Sequence, residues 1–265
     1  MRPIRNTDPS IFRLISCRTL EARVWMVPSG KLKKLIGGII ARYQEIFEIE
    51  IYAYYILGNH YHMLVRAPRS NIDEFCENIN REIARRLNWK LKREGAFWSR
   101  RYDDIEVADP DKDLLEAFLY VTTNATRHGL LRNSEQWPGL HSFNHALNEE
   151  DRYFTFHHYS AVDDEPRTTR HAIKLSVLPQ YAHLSKKERT RKLRALLEER
   201  MQKYEEERKA EGQGFLTVEI LIKQEPGIKP HEVSKSNRPH CYTTCLETWK
   251  AKREERRERN RQYRE

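Results

Sequence analysis

The run Tyr54-Tyr55-Ile56-Leu57-Gly58-Asn59-His60-Tyr61-His62-Met63-Leu64-Val65 narrows the fold more than any other stretch of the chain. Gly-Asn between two runs of β-branched and aromatic residues marks a turn, so the residues after Asn59 re-enter a sheet antiparallel to those before Gly58. Side chains alternate along a strand, which sends Tyr61, Met63 and Val65 to one face and His60 and His62 to the other. One face packs, and the other offers two imidazoles. Neutral imidazole is a common ligand of divalent metals, although a bare His-x-His is equally at home as an ordinary pair on a strand.

Around this hairpin the periodicities fall into a recognisable order. Ile11 to Thr19 reads as a strand, and Leu32, Leu35, Ile36, Ile39, Ile40 and Tyr43 recur at helical spacing over residues 31–47. After the hairpin, Ile72, Phe75, Ile79, Ile83, Leu87 and Leu91 step by three or four to about Arg93, and a short strand ends near Val107. Strand, helix, strand, strand, helix, strand is the split βαβ order: an α+β, ferredoxin-like or RRM-like antiparallel sheet with helices on one face. It leaves the histidine face of the sheet open.

A further helix is expected over 111–128, opened by Asp109-Pro110 and closed by His128-Gly129. On it Glu116, Tyr120, Asn124 and Arg127 share a face, so a phenol and a carboxamide lie one turn apart. Beyond residue 148 the composition becomes polar. The expected division is a core domain over 1–148, a linker over 149–183 and a charged, mainly helical C-terminal extension over 184–265, with a strand-like run at Phe215 to Lys223 and a helix or frayed tail from Thr244.

The formal charge of +9 favours polyanionic partners such as nucleic acid. Cys17, Cys76, Cys241 and Cys245 are scattered, which suits a reducing compartment. His240-Cys241-x-x-x-Cys245 lacks the second half of a zinc site. No run approaches the roughly eighteen apolar residues of a membrane span. A cytoplasmic protein without a membrane partner is expected.

Cleavage of a phosphodiester needs a cation to neutralise the phosphate, and tyrosine is a poor nucleophile near its usual pKa. Two histidines and one oxygen donor beside Tyr120 would meet that need. The segments Ile56 to Val65, Phe97-Trp98-Ser99-Arg100-Arg101-Tyr102-Asp103, Leu119-Tyr120-Val121-Thr122-Thr123-Asn124-Ala125-Thr126-Arg127-His128-Gly129-Leu130 and Trp137-Pro138-Gly139-Leu140-His141-Ser142-Phe143 together resemble the HUH single-tyrosine transposases, in particular the REP-associated branch.

The resemblance covers about residues 10–145 and implies the HUH endonuclease fold. It implies Tyr120 as a nucleophile giving a 5'-phosphotyrosine on single-stranded DNA beside a hairpin, and His60, His62 and Asn124 as ligands of Mg2+ or Mn2+. It implies strand transfer without any nucleotide cofactor. Relatives commonly carry Asn-Pro where this chain has Asn124-Ala125, Pro-Asn where it has Gly58-Asn59, and a His-Val-Thr-like first strand that is missing here. Arg66, Arg100, Arg101 and Arg127 are candidate phosphate contacts and Tyr102 a candidate base-stacking platform. A homodimer is one expectation. A DNA or RNA hairpin-binding regulator that no longer cleaves is the competing functional reading.

Overall fold

The computed structural model describes residues 6–158, 167–230 and 239–262. The stretches 159–166 of the expected linker, 231–238 of the polar loop and 263–265 of the expected C-terminal helix lie outside the described residues. The elements in chain order are β1 (Phe12–Arg18), α1 (Gly30–Phe47), β2 (Glu50–Ile56), β3 (His60–Arg66), α2 (Ile72–Lys90), β4 (Asp103–Val107), α3 (Lys112–Thr122), α4 (Asn124–Arg127), α5 (Phe143–Asn148), β5 (Arg152–His157), β6 (Thr168–Ile173), α6 (Lys186–Ala210), α7 (Val218–Ile222), β7 (Cys241–Tyr242) and α8 (Leu246–Gln262).

The first four strands make the expected antiparallel sheet in the order β2-β3-β1-β4, and β7 adds a short parallel strand outside β4. Both crossover helices lie on one face. α1 starts where the Ser29 side chain accepts from the Leu32 amide at 3.2 Å, and it buries Leu32, Ile36, Ile39, Ile40 and Tyr43. Together with Phe75, Ile79 and Ile83 of α2 these residues pack on Ile15, Tyr61, Met63 and Val65.

The histidine face is not left open. Leu114, Phe118 and Val121 of α3, Phe143 and Leu147 of α5, and Leu193, Leu197 and Met201 of α6 form a second core with Leu14, Tyr55 and Leu64. α6 is therefore part of the sheet's packing rather than a free extension. Its start is held by a capping box between Ser185 and Glu188.

Three further expectations change. The helix expected over 111–128 breaks at Thr123, where the Thr123 hydroxyl donates back to the Leu119 carbonyl at 2.7 Å and the backbone leaves helical geometry. α3 therefore ends and the short α4 begins at Asn124. Phe215 to Lys223 contains the helix α7 instead of a strand: Thr217 caps its start, and Val218 and Leu221, three residues apart, pack on the second core while Ile220 and Ile222 stay exposed. Within the stretch expected to be a linker, β5 and β6 form a two-stranded sheet laid on α1. Gly37 and Gly38 of α1 make room for it: a Cβ on Gly38 would sit 2.4 Å from the Thr155 carbonyl oxygen.

Candidate active site

The β2–β3 turn is clamped by the chain that follows β1. The Asn59 carbonyl accepts from the Thr19 amide at 2.9 Å, the Gly58 carbonyl from Met26 at 2.8 Å, and the Asn59 side-chain amide donates to the Ala22 carbonyl at 2.9 Å. That last bond fixes the amide of Asn59 with its oxygen toward His60, whose Nδ1 lies 2.7 Å away. The proton of His60 therefore sits on Nδ1, which leaves the Nε2 lone pair available to a ligand.

His60 and His62 stand side by side with ring centroids 4.9 Å apart. Burial pushes the His62 imidazole down to about 3 and His60 well below the ordinary histidine range, and neighbouring positive charge adds to both shifts. Both rings are neutral at physiological pH, which is the form that binds metal. His62 is buried, and its Nδ1 has no hydrogen-bond partner.

α3 brings Tyr120 over this pair. Its hydroxyl lies 3.3 Å from His62 Nε2, and the two rings meet edge to face with centroids 5.1 Å apart. Burial raises the phenol's pKa, while the Arg127 charge and the Asn124 amide act to lower it. The Arg127 guanidinium stacks on the Tyr120 ring at 4.7 Å from its centroid. Asn124 follows directly after the helix break. It is wholly buried, and neither its amide oxygen nor its nitrogen makes a well-formed hydrogen bond. An unsatisfied buried amide costs roughly 1–3 kcal/mol, which makes Asn124 a candidate for holding a ligand.

Two neutral imidazoles and an unpaired carboxamide make a donor set suited to a divalent cation that prefers nitrogen and oxygen. Among the described residues no group of three or more His, Cys, Asp or Glu side chains converges in metal-holding geometry. Asn124, one turn beyond Tyr120, is the expected oxygen donor on this side of the sheet.

Of the residues expected to hold DNA, Arg127 alone joins this cluster. Arg66 lies at the far end of β3, paired with Glu50 at 2.7 Å. Arg100 pairs with Asp103 at 3.1 Å and Arg101 with Asp73 at 3.4 Å. Tyr102 is only 5% exposed and donates its hydroxyl to Asp73 at 2.7 Å, so its ring is part of the core rather than a platform.

Four neighbours escaped the sequence reading. Asn59 orients His60, the His128 ring stands 5.9 Å from His60, Tyr242 of β7 lies 6.1 Å from Tyr120, and Arg18 faces His60 across the ladder. His128 repeats the four-residue step from Tyr120 through Asn124, a signal masked by its position beside the helix-stopping Gly129. Tyr242 carries no local signal at all.

Residues 19–121 match the family described as "Transposase IS200 like". Over that segment the chain is similar to the IS200-like transposases. The matched segment contains His60, His62 and Tyr120 and ends before Asn124. The fold is similar to a solved REP-associated tyrosine transposase bound to a REP hairpin, with 15% identity, a TM-score of 0.47, and coverage of 55% of this chain and 84% of that one. A candidate transposase from Deinococcus radiodurans R1 is similar over 45% of this chain and 95% of its own, with 16% identity and a TM-score of 0.32. Curated proteins give no match. No described helix of this transposase-like chain is long and apolar enough to cross a membrane.

Proposed function

We propose that this chain is a metal-dependent endonuclease and strand transferase acting on single-stranded DNA next to a hairpin, with Tyr120 as its nucleophile. The observation that carries the reading is the Tyr120 hydroxyl standing 3.3 Å from His62 Nε2, on the sheet face shared with His60.

In this reading the Tyr120 oxygen attacks a backbone phosphorus, the bond to the 3'-oxygen breaks, and the phosphate stays on the 5' side as a phosphotyrosine. The phenol proton passes to water, and the departing 3'-oxygen takes one from water, so that no net proton is gained or lost. The phosphotyrosine retains the bond energy, so transfer to a second 3'-hydroxyl needs no nucleotide cofactor. His60, His62 and Asn124 would hold Mg2+ or Mn2+. When bound, such a cation polarises the phosphoryl oxygens and neutralises charge in the transition state. Arg127, stacked on the nucleophile, favours the phenolate by its charge. The ring of His62 limits where the hydroxyl can point.

The test is incubation of the full chain with labelled single-stranded hairpin oligonucleotides and Mn2+, followed by denaturing electrophoresis. Wild type is expected to yield a covalent protein–DNA adduct that is lost in Tyr120→Phe. Binding without any adduct in wild type would hand the case to the non-cleaving regulator.

A further inference from the structure

One guanidinium beside the two imidazoles has no part in the reaction outlined above. Arg18 is the last residue of β1 and sits opposite His60 in the β1–β3 ladder. Directly opposed residues of antiparallel strands share a face, with Cβ atoms about 4.5–5.5 Å apart. The parity is fixed by Leu14, which packs with Leu64 and α3 on that same face. Arg18 therefore stands on the histidine side of the sheet, at its half-buried upper edge. Its charge reaches His60, His62 and His128 and helps hold each in the neutral form.

What sets Arg18 apart is the partner it lacks. Other arginines packed against the sheet and helices are committed to carboxylates: Arg13 to Asp104 at 3.1 Å, Arg86 to Glu82 at 2.8 Å, Arg189 to Glu149 at 2.6 Å. Among the described residues Arg18 makes no ion pair and no side-chain hydrogen bond. Arg127, entering from α4, likewise pairs with no carboxylate and lies against the Tyr120 ring. A guanidinium is always charged and offers a planar fork of donors that matches phosphate oxygens. One such group comes from the sheet and the other from the helix, and the Tyr120–His62 contact lies in the same cluster.

We propose that Arg18 binds the non-bridging oxygens of the phosphodiester that Tyr120 attacks, with Arg127 serving the same phosphate from the helix side. The ligand class is the backbone phosphate of single-stranded DNA, held without regard to base. The inference rests on Tyr120 being the nucleophile. Arg18 gives and takes no proton. It donates hydrogen bonds to oxygens whose negative charge grows as the Tyr120 oxygen–phosphorus bond forms and the bond to the 3'-oxygen breaks.

The experiment compares the full-length wild type with Arg18→Gln, Arg18→Lys and, as a surface control on the opposite face, Arg81→Gln. The first readout is the salt dependence of oligo(dT) binding. Losing one phosphate contact lowers the slope of log affinity against log salt by about 0.7, a drop expected in Arg18→Gln and absent in Arg18→Lys and Arg81→Gln. The second is the rate of adduct formation at saturating hairpin DNA, expected to fall on the order of 100-fold in Arg18→Gln with partial rescue by lysine. The third is Mn2+ affinity, which stays equal or tightens in Arg18→Gln because a repelling charge has gone.

An unchanged salt slope in a folded Arg18→Gln overturns the proposal, and so does a loss of Mn2+ affinity that accounts for the slower reaction. A wild type that never forms the adduct, with the slope still falling in Arg18→Gln, defeats the nuclease reading but keeps Arg18 as a phosphate contact.

Discussion

The two faces of β3 divide the work of this protein between adjacent residues. Tyr61, Met63 and Val65 are sealed beneath α1 and α2, and the one polar atom among them is satisfied, since the Tyr61 hydroxyl donates to Asn80 at 3.0 Å. Across the sheet, His62 Nδ1 and both amide atoms of Asn124 are buried without a well-formed hydrogen bond. The first face lowers the free energy of the folded state by removing apolar surface from water. The second keeps unsatisfied donors and acceptors, which folding alone would have removed or paired. The candidate site is legible here as the place where the packing rules are broken.

The sharpest way to break that contrast is to truncate neighbours. His62→Ala should lower adduct formation by a factor on the order of 100–1,000 and abolish Mn2+ binding by calorimetry, while its urea midpoint stays near that of wild type. Met63→Ala should do the reverse, costing about 2–5 kcal/mol in urea unfolding while the folded fraction still binds Mn2+. Similar stability losses in both variants would erase the distinction between the faces.

Acid should expose a related asymmetry at two histidines away from the site. Burial pushes His141 down to about 3 and His145 to about 4, and the Arg152 charge adds to both shifts. Both are neutral when folded but take up protons in the unfolded chain below their ordinary value of 6.5, so stability is full above about pH 6.5 and falls as the pH drops toward 4. The slope approaches 1.4 kcal/mol per pH unit for each histidine at most. His145→Phe should flatten that slope in chemical denaturation measured across this range, and an unaltered profile would show that the histidine already carries its proton in the fold.

Smaller effects refine the picture. Gly38→Ala should cost roughly 1–3 kcal/mol and raise protease sensitivity within β5 and β6, because the new methyl meets the Thr155 carbonyl. Its effect on Tyr120 chemistry should be slight. Asn124→Ala should leave thermal stability within about 1 kcal/mol of wild type, since it removes an unpaired amide along with the volume it filled, yet it should weaken Mn2+ binding. A large destabilisation would mean that the amide is there for packing.

Much of this organisation can be read from local pattern. Strict alternation around His60 and His62 set the two faces, and three-four spacing set α1 and α2. The missing parts depend on long-range contacts or on a single side chain's choice. The break after α3 turns on the Thr123 hydroxyl bonding back to Leu119, and it sets where Asn124 points. The strand Arg152–His157 shows Phe154 and Phe156 on either side of Thr155, but its docking on Gly37 and Gly38 is a contact over more than a hundred residues that no local pattern gives. The run at 215–223 was short and apolar, the pattern for which helix and strand are hardest to separate. Arg18 carries no local signal, because only the β1–β3 register sets it opposite His60, and Tyr242 reaches Tyr120 by a strand added from the far end of the chain.

The outer rim of β2 is already spoken for along its length. The Ser176 amide bonds to the Ile51 carbonyl at 2.8 Å, Ser142 gives its backbone amide to Tyr54 at 2.9 Å, and Ile56 donates to Leu140 at 2.9 Å. A second copy therefore finds no vacant ribbon there on which to continue the sheet. Were two copies to meet, they would do so away from this edge, and the β2 side of the sheet would stay covered by its own chain.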